Sequence, residues 1–243
     1  METWFEAGHV AIVTGGSRGL GKALARELLV RGVRTIIDGR DPEQLRLAAA
    51  ELSEFGQVDA VSGDVSDQEH VHALVAAAKA AGRLDLVINN ASTLGATPLP
   101  TIERLTPKTL QSLFEVNLFA PIHLMQHALR LMRESGGIGT IVNVTSDAAV
   151  EAYPTWGGYG ASKSALEHVS RVLAAELEES RSQIRILVVD PGDMDTQMHR
   201  DAVPDADPQT LGDPAVAAQN ILRAIAEMRT PYERVRANEM VSA

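Results

Sequence analysis

Tyr159 and Lys163 stand four residues apart in the run Gly158-Tyr159-Gly160-Ala161-Ser162-Lys163, and Ser146 lies thirteen residues upstream of the tyrosine. Side chains four apart on a helix share a face and can touch. An ammonium beside a phenol favours the phenolate and lowers a pKa that is ordinarily about 10. A tyrosine tuned in this way can give or take a proton near neutral pH. The same spacing also occurs on solvated helix faces, so the pair acquires meaning only from the elements that would position it.

Those elements alternate regularly. Short apolar runs, rich in β-formers, fall at His9–Thr14, Arg34–Asp38, Asp59–Ser62, Leu84–Asn89, Gly139–Thr145 and Ile184–Asp190. Most are continuous rather than alternating, the pattern of strands buried on both faces of a parallel sheet. Amphipathic segments separate them at Gly19–Arg31, Pro42–Phe55, Asp67–Ala81, Thr106–Glu134, Thr155–Ser180 and Asp213–Met228. This alternation predicts a single α/β domain, a doubly wound parallel sheet with right-handed crossovers. The least regular stretch, Gly192 to Asp213, carries Pro204 and Pro208 and many aspartates. A loop of that length in a compact domain is usually functional, and residues 192–213 are expected to form a substrate-binding lid.

Composition narrows the possibilities. A chain of 243 residues with 45% hydrophobic content can bury a sizeable core. It contains no cysteine, which excludes disulfides and thiolate metal sites, and no metal site is assigned. A net charge of −10 argues against nucleic-acid or anionic-membrane partners. Met1 to Gly8 shows no signal peptide and no apolar run reaches transmembrane length, so a cytoplasmic location is expected.

The first strand runs into Thr14-Gly15-Gly16-Ser17-Arg18-Gly19-Leu20-Gly21, and a helix follows. A strand, a tight glycine turn and a helix N-terminus present backbone N–H groups to a pyrophosphate. The spacing is G-x-x-x-G-x-G.

Taken in order, these motifs resemble the compact, single-domain members of the short-chain dehydrogenase/reductase family, from about His9 to Met228. The matching positions are the Thr14–Gly21 turn, Gly63-Asp64-Val65, Asn89-Asn90-Ala91, Asn117, Ser146, Tyr159-Gly-Ala-Ser-Lys163 and Pro191-Gly192. The resemblance implies a Rossmann fold and an NAD(P)-dependent oxidoreductase acting on a small-molecule carbonyl/alcohol pair. In it Tyr159 is the acid in carbonyl reduction and the base in alcohol oxidation. Lys163 lowers the Tyr159 pKa and holds the nicotinamide ribose, Ser146 hydrogen-bonds the substrate oxygen, and Asn117 anchors a water leading to the lysine. Gly15, Ser17, Arg18, Gly19, Leu20 and Gly21 would cradle the cofactor phosphates. Asp64 and Val65 would flank the adenine, Asn90 and Ala91 the ribose, and Pro191, Gly192 and Thr196 the nicotinamide. Where the family usually continues Asn-Asn-Ala-Gly, this chain has Ser92.

The general fingerprint places an NAD-selecting acid about twenty residues beyond the glycine turn, where Asp38 stands. Along the family pattern that position falls instead on Gly39, and the next one, often basic in NADP-preferring members, falls on Arg40. Arg40 and Arg18 are two guanidinium forks suited to a 2′-phosphate. NADP(H) is therefore expected, with NAD(H) as the alternative. Substrate would lie among Thr93, Leu94, Asp147, Tyr153, Trp156, Met194, Met198 and His199. Tyr232 to Asn238 could add a short edge strand, but the Asp-Gly-Gly turn common in tetrameric members is missing before Ala243. A homo-oligomer is expected, a dimer in preference to a tetramer, through the apolar second faces of Thr106–Glu134 and Thr155–Ser180.

Overall fold

The computed structural model describes residues 5–240, so Met1–Trp4 of the segment read for a signal peptide, and the end of the tail at 241–243, lie outside the described residues. Seven strands form one parallel sheet in the order β3-β2-β1-β4-β5-β6-β7. They are β1 (Val10–Val13), β2 (Arg34–Gly39), β3 (Val58–Ser62), β4 (Leu86–Asn89), β5 (Ile138–Val144), β6 (Gln183–Asp190) and β7 (Tyr232–Arg236). Among the described residues the α-helices are α1 (Gly19–Val30), α2 (Pro42–Leu52), α3 (Gln68–Ala80), α4 (Pro107–Phe114), α5 (Ala120–Glu134), α6 (Gly157–Glu179), α7 (Gln197–Ala202) and α8 (Pro214–Glu227).

The central strands are apolar on both sides because both faces are covered. On one face β1, β4, β5 and β6 pack against α1 and α8 through Val13, Leu24, Leu28, Ile88, Val142, Leu187 and Ile221. On the other, Ile12, Val87, Ile141 and Ile186 meet Leu74 of α3, Met125 and Met132 of α5, and Ala174 and Leu177 of α6. Helix starts are set by local chemistry. Asp41, Asp67, Thr106 and Asp213 accept backbone N–H groups at the N-caps of α2, α3, α4 and α8. Pro42, Pro107 and Pro214 then take first-turn positions where a missing N–H loses nothing. Among the described residues no helix is long and apolar enough to cross a membrane.

The structure departs from the expected boundaries in one informative way. Thr106–Glu134 reads as a continuous helical pattern, but between α4 and α5 it widens into a π-helical turn, Glu115–Phe119. The extra residue in that turn is invisible to a 3.6-residue period, and such turns cluster at functional sites. It carries Asn117. Because every strand is parallel, the segments following β1 to β6 gather on one edge of the sheet. The strand order reverses between β1 and β4, the place where ligands bind in such sheets.

Candidate active site

A cavity of about 610 Å³ runs along that edge. At its centre is the turn between β1 and α1. Gly15 and Gly19 have φ of +68° and +53°, a region that side-chain-bearing residues enter at a cost. Gly21 is required for a different reason: a Cβ there would sit 2.2 Å from the Gly15 carbonyl oxygen. No side chain caps α1, and its first turn carries no acid. Its N–H groups therefore face a cavity lined by Gly15, Ser17, Arg18, Gly19, Leu20 and Gly21. A glycine cradle ending in an uncapped helix N-terminus fits a pyrophosphate. Asn90 ties the turn to β4, donating from Nδ2 to the Thr14 carbonyl at 2.8 Å, while the N–H groups of Asn90 and Ala91 both donate to Thr14 Oγ1 at 3.0 Å.

At one end of the cavity the charges are distributed so that two cations stay available. Asp38 lies on the cavity wall, but its carboxylate is taken: Oδ1 accepts the Gly15 N–H at 2.5 Å and Oδ2 contacts His70 Nε2 at 3.0 Å. Neither Asp41 nor Glu43 pairs with Arg40. Asp41 caps α2, and Glu43 holds Arg46 at 2.7 Å. Arg18 and Arg40 both line the cavity, exposed, and among the described residues neither is in an ion pair with an acid. Asp64 and Val65 line the same end. Burial works to raise the Asp64 pKa, but hydrogen bonds from the Ser66 N–H and hydroxyl, helped by Arg40 and His70, leave it lowered.

Further along the cavity, Ser146 follows β5, and Tyr159 and Lys163 project from the first turns of α6. Ser146 Oγ donates to Asp147 Oδ1 at 2.9 Å and accepts the Ala148 N–H at 3.2 Å. Spacing alone predicts a phenol pKa lowered by Lys163; the structure reverses the direction. Burial pushes Tyr159 up to about 12; a hydrogen bond with Ser92 acts downward, and Asp190 and Asp147 add to the rise. Burial also pushes Lys163 down to about 8. The Asn117 side chain is fully engaged within the protein. Its Oδ1 accepts from the Thr93 N–H (2.9 Å) and Ser92 Oγ (3.1 Å), and its Nδ2 donates to the Thr93 carbonyl (2.9 Å) and Ser162 Oγ (3.0 Å).

On the substrate side the structure brings Leu94, Asp147, Trp156, Met194, Met198 and His199 to the cavity wall. Thr93 and Tyr153 do not line it: Asn117 holds the Thr93 backbone, and Tyr153 turns its hydroxyl onto Asp147 Oδ2 at 2.8 Å. Pro191 and Gly192 border the cavity, and Thr196 both lines it and caps α7. The Thr196 methyl lies 3.5 Å from where a Cβ on Gly19 would stand, so the two sides of the cavity approach each other there. The excursion after Gly192 closes on itself. The Asp195 N–H donates to the Gly212 carbonyl and the Gly212 N–H to the Asp193 carbonyl, both at 2.9 Å. Lining residues to which the sequence assigns no role in the site include Gln44, Val116, Val144, Thr145 and Asp190. Asp190 was findable as the last residue of β6 before Pro191; Ser92 could be seen only as a departure from the family pattern.

Residues 9–207 match the short chain dehydrogenase family. A rhamnolipid-biosynthesis 3-oxoacyl-[acyl-carrier-protein] reductase of Pseudomonas aeruginosa is 33% identical over 217 residues, covering 87% of this chain and 82% of that protein. A benzil reductase of Saccharomyces cerevisiae, forming (S)-benzoin, is 32% identical over 84% of this chain and 78% of its own length. Among solved structures, a short chain dehydrogenase from Shigella flexneri complexed with NADP superposes with a TM-score of 0.87 at 28% identity, covering 98% of this chain and all of that one.

Proposed function

The chain belongs to the short-chain dehydrogenase family, an NAD(P)-dependent oxidoreductase family, and on that premise we propose that it is an NADP(H)-dependent reductase of ketones or aldehydes, working in reverse on the matching alcohols. The observation that carries this reading is the line-up along one cavity of an uncapped helix N-terminus, two arginines outside the salt bridges of the described residues, and Ser146, Tyr159 and Lys163. The two reductases named above act on ketones, which supports a ketone as the oxidised partner. When bound, a nicotinamide cofactor supplies or accepts the hydride. The backbone of Gly19 to Gly21 holds its pyrophosphate, Arg18 and Arg40 its 2′-phosphate, and Lys163 its nicotinamide ribose. Ser146 donates to the carbonyl oxygen and Tyr159, its neutral form favoured by burial, delivers the proton to it.

Residues 192–213 serve as the substrate-side lid. The exposed apolar side chains Leu110, Phe119 and Val172 on the outer helices support a dimer, which light scattering at the monomer mass would reject. The main test is a panel of ketones, aldehydes and alcohols followed by NADPH absorbance, with Tyr159→Phe as control. Turnover that vanishes by about two to four orders of magnitude in the variant is expected of a lost general acid. Turnover near wild type in Tyr159→Phe would overturn the mechanism.

A further inference from the structure

Ser92 stands where the family usually carries glycine, and its backbone is not in the left-handed region: among the described residues only Thr155 and Arg181 are non-glycine residues with positive φ. The added side chain therefore comes without backbone strain and brings a hydroxyl to the cavity wall beside Tyr159. That hydroxyl donates to Asn117 Oδ1 at 3.1 Å, and among the groups around the phenol it acts to lower the Tyr159 pKa. Asn117 completes a frame. Its Nδ2 donates to Ser162 Oγ at 3.0 Å, and Ser162 Oγ donates to the main-chain carbonyl of Tyr159 at 2.7 Å. One carboxamide thus holds the Ser92 hydroxyl and, through Ser162, the Tyr159 backbone. Asn117 and Ser162 are fully buried, so water does not compete for these bonds, and both donors and both lone pairs of the carboxamide are in use.

We propose that Ser92 is a positioning residue for Tyr159, its hydroxyl turning from Asn117 Oδ1 toward the tyrosine oxygen as the phenol gives up its proton. The inference rests on Tyr159 being the proton donor. In that step the phenolic O–H bond breaks, its electron pair stays on the tyrosine oxygen, and the proton forms an O–H bond on the substrate oxygen. Ser92 keeps its own proton and changes only its hydrogen-bond acceptor. Asn117 Oδ1 is not orphaned by the turn, because the Thr93 N–H still donates to it at 2.9 Å. A glycine at this position offers no such donor, and burial opposes the phenolate. The hydroxyl thus supplies a hydrogen bond that strengthens when charge develops, the kind that speeds a reaction rather than merely tightening binding.

The test is the pH dependence of kcat/KM for alcohol oxidation, where Tyr159 must accept the proton, in wild type, Ser92→Ala and Ser92→Thr. Ser92→Ala is expected to move the rising limb upward by about one to two pH units, a tenfold to hundredfold loss below the limb, as for one hydrogen bond to a charged acceptor. The KM for NADP⁺ should not change, and Ser92→Thr, which keeps the hydroxyl, should keep the wild-type profile. The Tyr159 ring-carbon NMR resonance, followed over the same pH range in the NADP⁺ complex, reads the phenol independently of turnover; Tyr159→Phe identifies it among three tyrosines. An unmoved limb and resonance in Ser92→Ala, or an equal displacement in Ser92→Thr, overturns the inference. Full turnover in Tyr159→Phe instead rejects the proton-donor reading itself.

Discussion

Lys163 holds its ammonium 5.6 Å from the centre of the Tyr159 ring, and its hydrogen bond goes to the Val144 carbonyl at 2.9 Å. Val144 ends the strand that leads to Ser146, so the lysine fastens α6 to the strand end carrying the serine. Its charge lies over the ring, within cation–π range. The proposed acid is thus a neutral phenol facing a cation that burial makes easier to discharge.

Replacing Lys163 should expose that tension. It is 2% exposed, and its pKa falls from 10.5 to about 8, a penalty of about 3 kcal/mol on the folded state. The penalty is whole below about pH 8, shrinks as pH rises, and is gone above 10.5, because there the lysine is neutral in both states. Lys163→Met forfeits the Val144 hydrogen bond, about 1 kcal/mol. Urea unfolding should find the variant more stable than wild type by about 2 kcal/mol at pH 7, with the advantage disappearing toward high pH. Curves that stay parallel across this range would contradict the assignment.

Cofactor choice should turn on the two arginines of the cavity wall, Arg18 and Arg40. Arg40→Ala is expected to weaken NADPH binding by about tenfold to hundredfold, the loss of one charged hydrogen-bond partner, while NADH binding changes little. Fluorescence titration of both nucleotides measures this without turnover. An unchanged NADPH/NADH affinity ratio would send the 2′-phosphate elsewhere, with Arg18 the next residue to replace.

Gly21 has no room for a side chain. In Gly21→Ala the new Cβ would meet the Gly15 carbonyl oxygen at 2.2 Å and Asn90 Nδ2 at 2.6 Å. Backbone, rather than a flexible side chain, would have to yield. The variant should lose about 1–3 kcal/mol of stability and bind neither nucleotide measurably. Wild-type affinity in a folded Gly21→Ala would mean that the turn does not hold the pyrophosphate.

The residues show why some of this could be read from the sequence and some could not. Strands such as Val10–Val13 and Leu86–Asn89 declare themselves because burial on both faces demands unbroken apolar runs. Helix starts at Pro42 and Pro214 follow from a capping aspartate one residue earlier. These are local signals. What stayed hidden depends on partners distant in the chain. Asp38 looks like a cofactor-selecting acid until His70, thirty-two residues on, is seen to occupy it. Ser92 looks like a substitution in a loop until Asn117, twenty-five residues away, is seen beneath it. The net direction of the Tyr159 pKa was out of reach of the sequence because helical spacing reports proximity and says nothing of burial.

The hydrogen-bonded neck between Asp193–Asp195 and Gly212 has a consequence for how such an enzyme could diversify. The excursion leaves the sheet and returns at one point, while the proton-handling residues are braced on β5, α6 and the Ser92–Asn117 frame. Length and sequence from residue 197 to residue 211 can therefore change as a cassette. A library confined to that cassette, with the neck retained, should yield new substrate ranges on an unaltered chemical engine.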